Sequence, residues 1–231
     1  MPEPEPVALG EVRRTTVAGD AAGLIEALRN RSIDDALQQV GGAVQTVYLA
    51  EPSDRRDALA PYVLTIAQRL GMRAWEGDEI LADQLLRLLS GKPADGTSLR
   101  VDLDELTDAL SHSGEEEGAY VDRTTGEVVP AFVTNEGTVG EDDAIDVEGE
   151  QWLYLDREQS EWQDMADFAA SVTEPDVRRA LEHAIHGKGG FSRFRSAVHE
   201  HDVNRRWQVY SSDRVWGRAR EVLLTHGIRA V

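Results

Sequence analysis

The strongest constraint in this chain is a pair of amphipathic helical patterns broken by glycines, HGKGGFSRFR, from His186 to Arg195. Val177, Leu181, Ala184 and Ile185 recur at helical spacing and share one face. Gly187 ends that pattern, and Gly189-Gly190 admit backbone at positive φ without a Cβ penalty. Phe191, Phe194 and Val198 follow at i, i+3, i+7 and predict a second helix with an apolar face, while Ser192, Arg195 and His199 share another. Two helices must therefore meet at a tight elbow. The second helix points its first N–H groups into that elbow, and Lys188, Arg193 and Arg195 surround it. Two readings stay open. One is a packed turn with Phe191 and Phe194 in the core. The other is an anion or phosphate site built from Lys188, Gly189, Gly190, Arg193 and Arg195. The stretch is not a phosphate loop of the G-x-x-x-x-G-K-[ST] kind, because it lacks that spacing and follows a helix pattern instead of a strand.

Upstream, residues 1–18 alternate Pro and Glu at their start and read as a disordered lead. Residues 19–90 read as a helical domain. Asp20 caps a helix carrying Leu24, Ile25 and Leu28, and Ile33, Ala36, Leu37 and Val40 form the next stripe, which Gly41-Gly42 interrupts. Ser53 is a candidate cap before the stripe Ala58, Leu59, Tyr62, Val63, Ile66, Ala67 and Leu70. Pro61 inside it must begin a new helix or kink the old one. Leu81, Leu85, Leu88 and Leu89 mark a further helix. Gly and Pro then make 91–98 a linker by composition.

Residues 99–231 read as an α+β domain. Asp102, with Glu105 three residues on, caps a helix whose buried face is Leu103, Leu106 and Leu110. AYVDRTTGEVVP, Ala119 to Pro130, reads as a β-hairpin, and WLYL, from Trp152, as the third strand of a small antiparallel sheet. Residues 134–150 read as an acidic exposed loop. Ser160 with Gln163 starts a helix with Trp162, Met165, Ala166 and Ala169 on its buried stripe, and Thr173-Glu174-Pro175 starts the helix that enters the elbow. After the elbow, Trp207 and Tyr210 precede a final helix from about Ser212, with Val215, Trp216, Ala219, Val222 and Leu223 on its core face and Gly227 as its stop. The expected fold class is α+β: an N-terminal helical bundle, then a small antiparallel sheet packed by C-terminal helices.

Composition narrows the chemistry. The chain of 231 residues contains no cysteine, which removes disulfides, thiolate metal sites and a cysteine nucleophile and fits a reducing compartment. It holds no long apolar run, and its first residues, MPEPEPVALGE, have neither the basic nor the apolar region of a signal peptide. A soluble, cytoplasmic protein without membrane partners is the expectation. The net charge of −19 is uneven: residues 101–174 hold 2 basic and 22 acidic residues, and residues 175–231 hold 11 and 6. Pairing of the two segments within the fold is expected to absorb part of that asymmetry.

Two motifs carry a resemblance. Tyr120, Asp122, Thr125, Gly126 and Glu127 match a Tyr-x-Asp-x-x-Thr-Gly-Glu hairpin, and Gly187, Lys188, Gly189, Phe191 and Phe194 match a Gly-Lys-Gly-Ala-Phe-x-x-Phe elbow. Taken in this order, with WLYL between them and Trp207 and Trp216 after them, the stretch from about 100 to 231 resembles the bacterial uncharacterised protein family 0158. Gly190 stands where that family often has Ala, and Ser192 where a basic residue is common, which thins the positive charge of the elbow. The resemblance implies a fold and carries over no catalytic residue. The helical first hundred residues lie outside it.

Other chemistry is sparse. His183 and His186 at i, i+3, with His199, Glu200, His201 and Asp202 beyond them, fall short of a metal-ligand pattern; surface histidines are the expectation, with no metal and no cofactor. Asp122 and Glu127 flank a hairpin turn, where turn chemistry is the simpler role. No serine has a base at triad-like spacing. Arginines and aromatics crowd the C-terminal segment, but the global acidity argues against direct nucleic-acid binding. The expected function is a non-enzymatic cytoplasmic binding or regulatory protein with a phosphate-bearing ligand at the elbow or a protein partner. Two alternatives stand beside it: a metal-assisted hydrolase using His183, His186, Asp122 or Glu127, and an acidic interaction module or nucleic-acid mimic.

Overall fold

A computed structural model of the chain describes residues 5–92, 96–111, 118–156 and 161–231. The chain divides into two compact units. The larger comprises Met1–Arg157 and Val215–Val231, and the smaller Glu158–Arg214. The fold is α+β, as expected, but the linker predicted over 91–98 falls inside the larger unit and the 99–231 stretch is shared between the two. Residues 93–95 of that linker, and the Ser160 cap, lie outside the described residues.

The larger unit begins with α1 (Leu9–Val17) and α2 (Ala21–Leu28), followed by α3 (Leu37–Ala50), α4 (Ala60–Arg73) and α5 (Asp78–Ser90). The disordered lead is therefore corrected from residue 5 onward. Val7 donates its N–H to Ser32 O at 2.9 Å, and Val7 and Val12 are buried. The Pro-Glu alternation ends at Pro6, and the apolar periodicity that replaces it is enough to seat a helix. Asp20 caps α2 by accepting from Gly23 N, and Pro61 stands in the first turn of α4, where its missing N–H has no helical partner to lose. The Ser53 stretch forms a short 3-10 turn without a side-chain cap.

Gly41-Gly42 do not interrupt α3. A Cβ on Gly41 would lie 2.7 Å from Leu81 Cδ2, and one on Gly42 would lie 2.9 Å from Arg220 Nη2. The pair is what lets α3 approach its neighbours, and that packing outweighs a glycine propensity cost of about 1 kcal/mol each. Val40, Val44, Val63, Ile66, Leu70, Leu81 and Leu85 are buried along these helices.

Next come β1 (Thr97–Leu99), α6 (Leu103–Leu110), β2 (Ala119–Asp122), β3 (Val128–Pro130), a four-residue α7 (Glu136–Val139) and β4 (Trp152–Leu155). The sheet runs β3-β2-β4, antiparallel throughout, with Tyr120 opposite both Val129 and Tyr154. Its inner face, Ala119, Val121, Val128, Leu153 and Leu155, packs with Leu103, Leu106 and Ala109 of α6. Ala219 and Leu223 join the same core from α11 (Asn204–Thr225). After Gly227 the chain forms β5 (Ile228–Ala230), which pairs in parallel with β1, Thr97 opposite Ile228. No sequence signal announced this second, two-stranded sheet. Gly77, just before α5, meets Gly217 of α11 backbone to backbone. A Cβ on either would fall 2.1 Å from a carbonyl oxygen.

The smaller unit contains α8 (Glu161–Ser171), α9 (Pro175–Ile185), α10 (Gly190–Glu200) and the first residues of α11. Trp207 and Tyr210 already belong to α11, which starts eight residues before the expected Ser212. Phe168, Phe194, Trp207 and Tyr210 form an aromatic cluster, edge-to-face except for the stacked Trp207–Tyr210 pair, with Phe194 and Trp207 centroids 4.9 Å apart. Trp162 and Phe191, both expected in the core, are half exposed. Phe168 takes the central position on α8 instead. Buried Arg214 donates to Asp164 at 3.0 Å and to Asp167 at 3.2 Å, so a basic C-terminal residue does pair with the acidic segment.

Candidate functional site

The elbow shows where its cations go. α9 ends at Ile185 and α10 begins at Gly190, with Gly187 and Gly189 both at positive φ. A Cβ on Gly190 would lie 2.4 Å from Ile185 O, so the helices close on that glycine. Arg193 turns back from α10. Its guanidinium donates to Lys188 O at 2.5 Å, to His186 O, and to Gly187 O at 3.4 Å. It thereby ties together the carbonyls of the turn that follows α9. The side chains of Lys188 and Arg195 are exposed and make no hydrogen bond or ion pair among the described residues. Gly190 and Arg193 are thus used in closing the turn. Arg193→Ala is expected to lower stability by about 1 kcal/mol, while Lys188→Ala stays within about 0.5 kcal/mol of the parent. Urea melts of the two variants check this, and equal losses would contradict the role of Arg193 in the turn.

A different set of residues converges in the larger unit. Asp102 caps α6, accepting from Asp104 N at 2.9 Å and Glu105 N at 3.1 Å. That cap holds Asp104 in the first turn, where its Oδ1 accepts from Arg13 Nη2 at 2.7 Å and from Trp216 Nε1 at 3.2 Å. Partial burial raises the Asp104 pKa above its ordinary 3.8, and this desolvation outweighs the lowering by Arg13 and Trp216.

The hairpin turn is built beside it. Asp122 Oδ1 accepts from Thr124 Oγ1 at 2.5 Å, Thr124 N at 2.6 Å and Thr125 N at 2.9 Å. These bonds, the Thr124 hydroxyl first, hold the exposed Asp122 carboxyl below its ordinary pKa. Gly126 has φ +83°, and a Cβ there would lie 2.0 Å from Arg100 O. The Thr-Gly-Glu part of the hairpin motif is thus seated directly on the segment that leads into α6.

Between these parts lies a half-open cleft of about 750 Å³. Leu9, Val12 and Val17 of α1, Ala43 and Thr46 of α3, and Arg100, Asp104, Glu127 and Trp216 line it. Arg220, buried, reaches the cleft and donates to Ala230 O at 2.9 Å. Of the residues singled out from sequence, the motif residues Thr125, Gly126 and Glu127, the cap Asp102 and Trp216 lie here, and Asp122 anchors the turn beside them. Asp104, Arg13 and Arg100 carried no sequence signal beyond a helix first turn. Among the described residues, no three or more His, Asp or Glu are grouped to hold a metal ion, and no helix is long and apolar enough to cross a membrane.

The two aspartates should respond oppositely to pH. The stabilising contribution of Asp104 is complete below its unfolded pKa and is lost as pH rises through its higher folded value. That of Asp122 is present above the unfolded pKa and is lost as pH falls through its lower folded value. In thermal melts from about pH 3 to about pH 7, the parent should lose ground to Asp104→Asn as pH rises and to Asp122→Asn as pH falls. Parallel curves for all three proteins would refute both assignments.

No curated protein and no solved structure matches this chain. A family model does, over residues 97–231, which hold both the hairpin and the elbow motifs and leave the helices α1–α5 outside the match. That match spans more than half of the sequence, so the chain belongs to the uncharacterised protein family (UPF0158).

Proposed function

We propose that this chain is a cytoplasmic, non-enzymatic binding protein whose ligand site is the cleft of the larger unit. The elbow of the smaller unit is then a structural turn. The observation that carries the reading is the convergence itself: a cleft of about 750 Å³ lined by apolar side chains and by charged groups of both signs, among them the partly buried Asp104. Small-molecule sites typically have about 300–1,000 Å³, mostly apolar linings and few polar groups, and perturbed acids gather in them. The hairpin motif supports the same site, because Thr125, Gly126 and Glu127 all face it. The lack of cysteine fits the reducing compartment.

The test is a titration with 8-anilinonaphthalene-1-sulfonate, an apolar anion that brightens when buried. One saturable site is expected on the parent. Thr46→Trp, which places an indole in the cleft from α3, should weaken binding at least tenfold with little change in melting temperature. Unchanged dye binding in a folded Thr46→Trp protein would move the site elsewhere.

A further inference from the structure

We infer that the cleft takes a small zwitterion with an apolar body, namely a di- or tripeptide with free termini and aliphatic or aromatic side chains. This rests on the cleft being the ligand site. The argument is an inventory of what the lining groups leave unmet.

Arg100 is exposed on the rim, and its guanidinium makes no hydrogen bond or ion pair among the described residues. The Glu127 carboxylate likewise accepts no hydrogen bond from them. Both Asp104 donors, Arg13 and Trp216, go to Oδ1, so Oδ2 takes none among the described residues. The close approach of Gly126 to Arg100 O places Arg100 and Glu127 on one rim. The site therefore presents a cation beside two carboxylates whose remaining hydrogen-bonding positions are open to a ligand.

A ligand of one sign meets only half of this. A phosphate would suit Arg100 but would stand against Asp102, Asp104 and Glu127, where like charges in a partly desolvated cleft repel. A simple cation would suit the acids and face Arg13, Arg100 and Arg220. A free carboxylate on Arg100 by a forked bond, with a free ammonium between Asp104 and Glu127, satisfies both sets. Asp104 is partly buried, with 38% of its side chain exposed, and its Oδ2 is the atom open to an ammonium.

The remaining lining is apolar. Leu9, Val17 and the Trp216 indole face the cleft, and Val17 is 91% exposed, an apolar side chain that a bound ligand would cover. A cleft of about 750 Å³ holds more than one amino acid. The lining also divides by origin. The family domain supplies Arg100, Asp104, Glu127 and Trp216, whereas Leu9, Arg13, Val17 and Ala43 come from helices outside the family match.

The experiment is calorimetric titration of the full chain with leucyl-phenylalanine, its N-acetyl derivative and its C-terminal amide, with displacement of the anilinonaphthalene dye as a second readout. The free dipeptide is expected to bind and to displace the dye, and each blocked form to bind at least tenfold more weakly. Arg100→Gln should weaken the free dipeptide at least tenfold while leaving the amide unchanged, and Glu127→Gln should do so while leaving the N-acetyl form unchanged. If the dye binds in the cleft but no free dipeptide displaces it, the ligand class is wrong and the cleft reading stands. Blocked and free forms binding equally would also overturn the zwitterion. Dye binding indifferent to Thr46→Trp would sink both readings together.

Discussion

Replacing Asp78 by alanine is expected to remove about 3–5 kcal/mol from the stability of the larger unit, with a fall in melting temperature of about 10 °C. Asp78 is fully buried at the start of α5. Its carboxylate accepts from Arg73 Nη2 at 2.7 Å, from Arg73 Nε at 2.9 Å, from Gln38 Nε2 at 2.9 Å and from Trp75 N at 2.9 Å. Arg73 is itself 10% exposed and stacks over Trp75 at 3.9 Å. Removing the carboxylate takes from the Arg73 guanidinium its ion pair with Asp78, leaving it the bond to Asp34 O, and takes an acceptor from Gln38 Nε2 and Trp75 N, which is the costly way to break a buried pair. Removing both charges is the informative control. Arg73→Leu/Asp78→Leu should be less destabilised than Asp78→Ala, because no uncompensated charge remains. Urea denaturation measures each. A loss below about 1 kcal/mol in Asp78→Ala would mean that water reaches the guanidinium when the acid is gone.

Gly126→Ala is expected to lose about 3 kcal/mol and most of the cleft binding. Two terms add. A non-glycine residue at φ +83° is strained by about 1–2 kcal/mol, and the new Cβ would lie 2.0 Å from Arg100 O, which forces a backbone shift of the overpacking kind, about 1–3 kcal/mol. The obstacle is a carbonyl, so no side-chain rotation relieves it. The shift moves Arg100 and Glu127, which stand on the cleft rim, and so binding should fall further than global stability alone explains. The comparison is dye affinity and melting temperature for Gly126→Ala against Gly71→Ala. Gly71 lies in the interior of α4 with open space around its Cβ position, and its replacement should be neutral or slightly stabilising. Equal behaviour of the two variants would remove the hairpin glycine from the site.

The hairpin, the α6 cap and the α9 stripe were all legible in sequence, and Pro61 was read as either a helix start or a kink. Each is encoded within a few residues, by a cap, a period or a turn signal. Gly41-Gly42 misled because glycine marks both a break and a close helix contact, and only the position of Leu81 and Arg220 tells the two apart. Trp162 and Phe191 misled because an aromatic at helical spacing says which face it occupies, not whether that face is covered. β1 and β5 were missed because three-residue strands have no period to detect, and their pairing is parallel and distant.

The cleft was illegible for a related reason. Arg13 lies 91 residues from Asp104, and Trp216 lies 112 residues from it. No periodicity links groups so far apart, and a surface aspartate and a desolvated one are written with the same letter. Local chemistry set the helices, the caps and the α+β class, because backbone hydrogen bonds and apolar stripes are satisfied over short spans. Which charges share a cleft, and which arginine binds the carbonyls of an elbow, followed from packing. Burial and partner choice arise when distant elements meet.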